Sequence, residues 1–314
     1  MKNYFQSGWE QLKKFGRLIV SAGKSFAQDD AIKLSASLSY YTVFALGPVL
    51  LLIISIAGIF YGEAALEGKL FSQIKGLLGN SVAYQLQSIL ANLQKADKSV
   101  TGAIVGFVVL IIGATGVFTE IQSSINYIWS VRAKPQKGWL KLLKNRLLSF
   151  SLVVSISFIL LVSLVVNAML DILSGQLTAI FPDIAYVIFY IVNLILIFIV
   201  ISLLFAIIFK VLPDAHIAWK DALIGAGFTA ILFMLGKFLI GIYIGRADYG
   251  MTYGTAASIM IILAWVYYSA AILYFGAAFT REYALQSGKG IQPNETAVFI
   301  IKKEAKEIDP DNKP

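Results

Sequence analysis

LSASLSYYTVFALGPVLLLIISIAGIF, residues 34–60, carries no charged side chain. Its first half is small and polar, its second almost wholly aliphatic. At about 1.5 Å per residue it outreaches a hydrocarbon core of ~30 Å, and charged or turn-forming residues bound it on both sides, so it reads as a membrane-spanning helix. Ser35, Ser39 and Thr42 recur at i, i+4, i+7 on one face, and Gly47-Pro48 interrupts the helix just beyond them. Pro48 frees the carbonyl of Phe44, which needs a partner in lipid. This face is therefore expected to point at other helices or at a water-filled cavity.

The rest of the chain has the same character. Of its 314 residues 58% are hydrophobic and 14% charged, and the mean hydropathy of +0.76 excludes a soluble domain. The absence of cysteine removes disulfides, thiolate metal sites and thiol nucleophiles together, and the single histidine builds no zinc site alone. No short apolar run with a cleavage site opens the chain, so the first span is expected to carry the targeting information. There is no nucleotide-binding loop, and no cofactor is expected.

Residues 1–33 mix Lys2, Lys13, Lys14, Arg17, Lys24 and Lys33 with Phe5, Trp9, Leu12, Phe15, Ile19 and Phe26 at helical spacing. This reads as a basic amphipathic helix on the membrane surface, or else as a basic tail that only sets orientation. Two amphipathic patterns fill 61–99, broken at Gly79-Asn80, and predict an outer helical hairpin. Further spans are expected near 101–128, 147–170, 184–209, 218–244 and 253–280. Alternate loops and tails divide 20 Lys and Arg on one side against 5 on the other, with Lys237 inside a helix. The positive-inside bias then places both termini in the cytoplasm. The expected fold is an all-α, six-helix membrane domain over 34–281, followed by a polar cytoplasmic tail over 282–314 that is expected to be mobile from Gly288 on.

Several stretches, in this order and spacing, resemble the YihY/BrkB family of bacterial membrane proteins, long labelled ribonuclease BN. They are Ala36-Ser37-Leu38-Ser39-Tyr40-Tyr41-Thr42 followed by Pro48; Asn126-Tyr127-Ile128-Trp129; Leu212-Pro213-Asp214 with Trp219-Lys220-Asp221-Ala222; and Tyr253-Gly254 leading to Trp265-Val266-Tyr267 and Gly276-Ala277. The resemblance covers roughly residues 30–285. It implies a six-helix domain in the bacterial inner membrane and a transport role. The family commonly carries Glu after Gly-Ala, a place held here by Ala278.

Polar residues within spans are costly unless they meet a partner or water, so they are the candidate site. Ser163, Asn167 and Asp171 form one stripe on the third helix, and Asp183, Tyr186, Tyr190 and Asn193 another on the fourth. Glu120, Ser124 and Tyr127 share a face of the second. Lys237 lies about seven residues from the outer end of the fifth helix, in the row Thr229, Phe233, Lys237, Gly241. Asp183 and Asp171 are the nearest outer-half carboxylates by topology; the ammonium meets a carboxylate, an anionic ligand or headgroup, or snorkels outward. Interhelical hydrogen bonding and Gly-mediated helix packing are the plain alternatives for these residues. The basic loop with Arg132, Lys134, Lys137, Trp139 and Lys141 matches a membrane interface, where anionic headgroups are simpler partners than nucleic acid. His216, beside Asp214, reads as a capping or headgroup contact, because no cluster of metal ligands or acid/base pairs accompanies it. The function expected is a transporter or flippase for an amphiphilic, anionic or lipid-like substrate, driven by a gradient or passive. A scaffolding membrane protein is the alternative, and ribonuclease activity is disfavoured.

Overall fold

The computed structural model describes residues 2–45, 75, 83–88, 116–134, 182–246, 257–286 and 288–302. Helix α1 (Lys2–Gln28) is amphipathic as its spacing requires. Leu18, Ala22, Ser25 and Asp29 are buried, while Lys13, Lys14, Arg17 and Lys24 are exposed. The chain then turns at Asp29-Asp30, with Asp30 in the left-handed region at φ 49°. Asp30 O accepts from the N–H groups of Lys33 and Leu34 at 2.8 and 3.1 Å and so starts α2, described over 31–45.

The hydroxyl face of α2 turns inward as expected, with Ser35 and Ser39 buried. Its hydroxyls are satisfied within the helix: Ser35 donates to Ala31 O (2.7 Å), Ser39 to Ala36 O (2.8 Å) and Thr42 to Leu38 O (2.8 Å). Such back-bonding suits a hydroxyl packed against an apolar neighbour. Gly47 and Pro48 lie outside the described residues. Residues 83–88 are helical (α3) and bury Ala83 and Leu86; the rest of the expected hairpin, apart from 75, lies outside the described residues. Helix α4 is described over 116–128; a Cβ on Gly116 would stand 3.1 Å from the Tyr41 ring, so α4 packs on α2.

Three long apolar helices follow: α5 (Pro182–Val211), α6 (Trp219–Arg246) and α7 (Ala257–Gln286). Their stretches Val187–Val211, Trp219–Tyr243 and Ile259–Gln286 are each long and apolar enough to cross a membrane. Helix α6 packs against both α5 and α7. Phe233 of α6 links them, its ring 5.9 Å from Phe205 and 5.6 Å from Trp265.

The α6–α7 contact is built from two reciprocal glycine–threonine pairs. A Cβ on Gly225 would overlap Thr280, and one on Gly276 would overlap Thr229. Each threonine donates its hydroxyl within its own helix, Thr229 to Gly225 O (2.7 Å) and Thr280 to Gly276 O (2.6 Å), and the hydroxyl oxygen, with Cβ and Cγ2 beside it, lies against the partner glycine. This is the small-residue packing by which helices associate without a hydrophobic driving force. Gly236 makes a third such contact with Tyr268, whereas Gly241 has open space around it.

Helix α1 packs against α7. Phe15 lies 6.0 Å from Phe279 and 6.1 Å from Phe228, and Phe26 lies 5.7 Å from Phe275.

Two expectations need correction. The fold is mostly helical but not all-α: β1 (Val131–Ala133) pairs antiparallel with β4 (Ala297–Phe299), and β2 (Ala215–His216) with β3 (Gln292–Pro293). Consequently 288–302 is no mobile tail. It is strapped across the loops that follow α4 and α5, with Ile291 and Ala297 buried. Strands of two or three residues are too short to show an alternating pattern, and a polar composition hid the backbone pairing. Helix α7 also runs past the expected end at 280, because Arg281 and Glu282 find polar partners there.

Candidate functional site

The end of the bundle where α4 and α7 finish collects polar side chains from every neighbouring element. Trp129, 1% exposed, ends α4 and donates its indole N–H to Ala277 O of α7 at 3.0 Å. Ser130 follows in the left-handed region at φ 57°, a C-terminal cap that turns the chain into β1. One turn before Trp129, Asn126 and Asp214 bind reciprocally: Asn126 Nδ2 donates to the carboxylate and Asp214 N donates to Asn126 Oδ1, both at 2.8 Å. Gln122 adds a donor to the same carboxylate at 3.2 Å, and Asp214 O accepts from Asn294 N of the strap at 3.0 Å. Asp221, buried in the first turn of α6, accepts from Lys289 N at 3.1 Å. A carboxylate there also suits the helix dipole.

A second group ties α1 into this junction. Glu282 accepts from Ser21 (2.7 Å) and Ser25 (3.1 Å) of α1 and pairs with Arg281 at 3.5 Å. Arg281 reaches Ser25 and Ser130 at 3.4 and 3.5 Å. From the strap, Lys302 binds Asp29 at 2.5 Å and sits 4.4 Å over the Tyr127 ring, closing the α1–α2 corner against α4. Burial lowers the Lys302 pKa from the usual lysine range, opposed by the hydrogen bond and charge of Asp29.

On one face of α1, Lys13, Gly16, Arg17, Val20, Ser21 and Lys24 form a shallow, open strip. Arg132 and Lys134 are exposed on and beside β1, and Lys134 Nζ donates to Glu295 O at 2.9 Å. His216 is exposed on β2, paired with Gln292, and so belongs to a strand rather than a turn. Lys137, Trp139 and Lys141 lie outside the described residues. Among the described residues no three His, Cys, Asp or Glu side chains come together to hold a metal ion.

The intramembrane candidates separate. Lys237 is partly exposed and continues a row whose Thr229 and Phe233 are buried against α7. Tyr190 and Asn193 stand on an exposed face of α5. Asn167 and Asp171 lie outside the described residues, as do the side chains of Asp183 and Tyr186, so no partner for Lys237 is drawn from them. On α4 the stripe divides: Ser124 is buried, Glu120 partly so, and Tyr127 turns out to Lys302. Asn126, Trp129, Asp214 and Asp221 were not singled out from the sequence as a site. The only signal for them was their membership of the stretches that carry the family resemblance, Asn126–Trp129, 212–214 and 219–222, and the fold brings Asn126, Asp214 and the strap beside Asp221 to one end of the bundle.

A family model described as Virulence factor BrkB matches residues 22–299. Among curated proteins, a UPF0761 membrane protein of Verminephrobacter eiseniae is 28% identical over 252 residues, covering 78% of this chain and 57% of its own length. One of Ralstonia nicotianae is 28% identical over 256 residues, covering 80% and 55%. One of Pseudomonas paraeruginosa is 27% identical over 290 residues, covering 88% and 63%. The chain thus spans 55 to 63% of the length of these relatives. No solved structure matches it significantly.

Proposed function

We propose, from the premise that this chain belongs to the virulence factor BrkB family of membrane proteins, that it transports or flips an anionic amphiphile of lipid type across the bacterial inner membrane. The observation that carries this reading is the basic strip on α1. Three cations, Lys13, Arg17 and Lys24, surround Val20, and exposed Phe15 lies on the same helix where it crosses the bundle. Charge beside apolar surface at the rim of membrane-spanning helices suits a headgroup with its acyl chain. Lys237, set within an otherwise apolar span, supports the same substrate charge. With no nucleotide-binding loop in the sequence, the driving force is a gradient, or the movement is passive.

A second reading is a scaffolding role. It is favoured by the junction itself, where Asn126, Trp129, Asp214 and Asp221 are each engaged in holding elements together. We assign no catalytic residue, and the family's ribonuclease label is not adopted.

The orientation belongs to the same proposal: six spans, both termini cytoplasmic, and the basic end of the bundle facing inward. Reporter fusions test it. A reporter inserted in the 172–182 turn is expected to report the outer side, and one fused after Pro314 the inner side. The reverse pattern would remove the cytoplasmic headgroup site.

A further inference from the structure

The strap over 288–302 carries an apolar run that stays outside the core. Val298, Phe299 and Ile301, three of four consecutive residues, are 42%, 58% and 86% exposed. Strand β4 has β1 on one side and, among the described residues, no strand on the other. Single exposed apolar side chains are ordinary, whereas a contiguous patch marks an interaction surface. The place of this patch in the fold indicates what meets it. Ile300 N donates to Ser130 O at 2.8 Å, directly beyond the end of α4, and Asn294 N donates to Asp214 O at 3.0 Å, just past the apolar stretch that ends at Val211. The strap therefore lies at the ends of apolar helices, where a headgroup layer roughly 5–7 Å deep borders the hydrocarbon. A second feature marks the same level. Trp219, 56% exposed, opens α6 with Lys210 Nζ 5.6 Å from its ring centroid, an aromatic and a cation together as at a membrane boundary.

We propose that Val298, Phe299 and Ile301 dip into the phospholipid leaflet at this end of the bundle, with Arg132 at the level of the phosphates. Exposed Arg132 stands opposite Val298 in the β1–β4 pair, so a cation and an apolar side chain share one face. Lys134, also exposed, follows beside β1. A second copy pairing along the free edge of β4 would gather these cations from two chains in one place, whereas phosphates neutralise them. The strap also bonds to Asp214 O, to Ser130 O and, through Lys302, to Asp29. Its seat in the leaflet thus braces the junction from the lipid side. This contact involves a different element from α1 and stands apart from the transport reading.

The chain has no cysteine, so Phe299→Cys and Ile301→Cys each place one environment-sensitive fluorophore at a known position. Both native side chains are exposed, and both variants are expected to melt as the wild type does. The full-length protein is labelled and placed in nanodiscs of phosphatidylglycerol and phosphatidylcholine. Both labels are expected to emit to the blue of the free dye in buffer, to resist aqueous iodide, and to be quenched by a phospholipid bearing a nitroxide just below its headgroup. Emission and iodide quenching like those of the free dye would overturn the proposal. A disulfide joining two copies through unlabelled Phe299→Cys, without nitroxide quenching of the labelled form, would give the edge of β4 to a second copy and overturn it too. Adding Arg132→Gln is expected to weaken the nitroxide quenching at 299, and unchanged quenching would overturn the phosphate contact.

Discussion

Trp129→Ala is expected to be among the most damaging single substitutions in this chain, costing about 3–5 kcal/mol of stability, because it empties the volume of a large, fully buried side chain. The residue does two jobs. Its ring fills the space between the end of α4 and α7, and its indole N–H fixes the register by binding Ala277 O. Trp129→Phe keeps most of the volume and loses the hydrogen bond, for roughly 1 kcal/mol plus any repacking. The check is membrane abundance together with thermal melting in detergent, for wild type, Phe and Ala. Wild-type melting of the Ala variant would mean that the junction between α4 and α7 is not needed to hold the bundle.

Gly276→Val is expected to cost about 1–3 kcal/mol or more, since a Cβ at that position overlaps Thr229 and two packed helix backbones would have to separate. The reciprocal arrangement supplies an internal control. Thr229→Gly removes the obstructing side chain and is expected to recover part of the loss in the double variant, even though glycine in a helix costs about 1 kcal/mol by itself. Gly241→Ala, where open space surrounds the backbone, is expected to be neutral or slightly stabilising. Additive losses at 229 and 276 would show that the two residues do not meet.

How far these features were legible varies with their range along the chain. The three long spans were read to within a few residues, 184–209 against Val187–Val211 and 218–244 against Trp219–Tyr243, because a run of uncharged residues is a local property. The inward-facing hydroxyls Ser35 and Ser39 were legible from their i, i+4 spacing. The last helix extends to Gln286, past the end expected near 280, and Arg281 and Glu282 there are engaged by Ser21, Ser25 and Ser130. The junction was not legible. Asn126 and Asp214 are 88 residues apart and Trp129 and Ala277 are 148 apart, and no periodicity reports a contact of that kind. The strap over 288–302 failed for a related reason: polar composition suggested a free tail, while its order comes from backbone bonds to loops far back in the chain.

The central claim, movement of an anionic amphiphile, is tested most directly in proteoliposomes carrying phosphatidylglycerol with a fluorescent headgroup, with dithionite added outside as an impermeant quencher. Wild-type protein is expected to expose label from the inner leaflet, giving quenching beyond the outer-leaflet fraction, with or without an imposed proton gradient. Lys237→Met, reconstituted to the same level and melting as the wild type does, is expected to slow that second phase. Quenching by the wild type that is indistinguishable from protein-free vesicles, under both gradient conditions, would contradict the claim and leave the scaffolding role in its place.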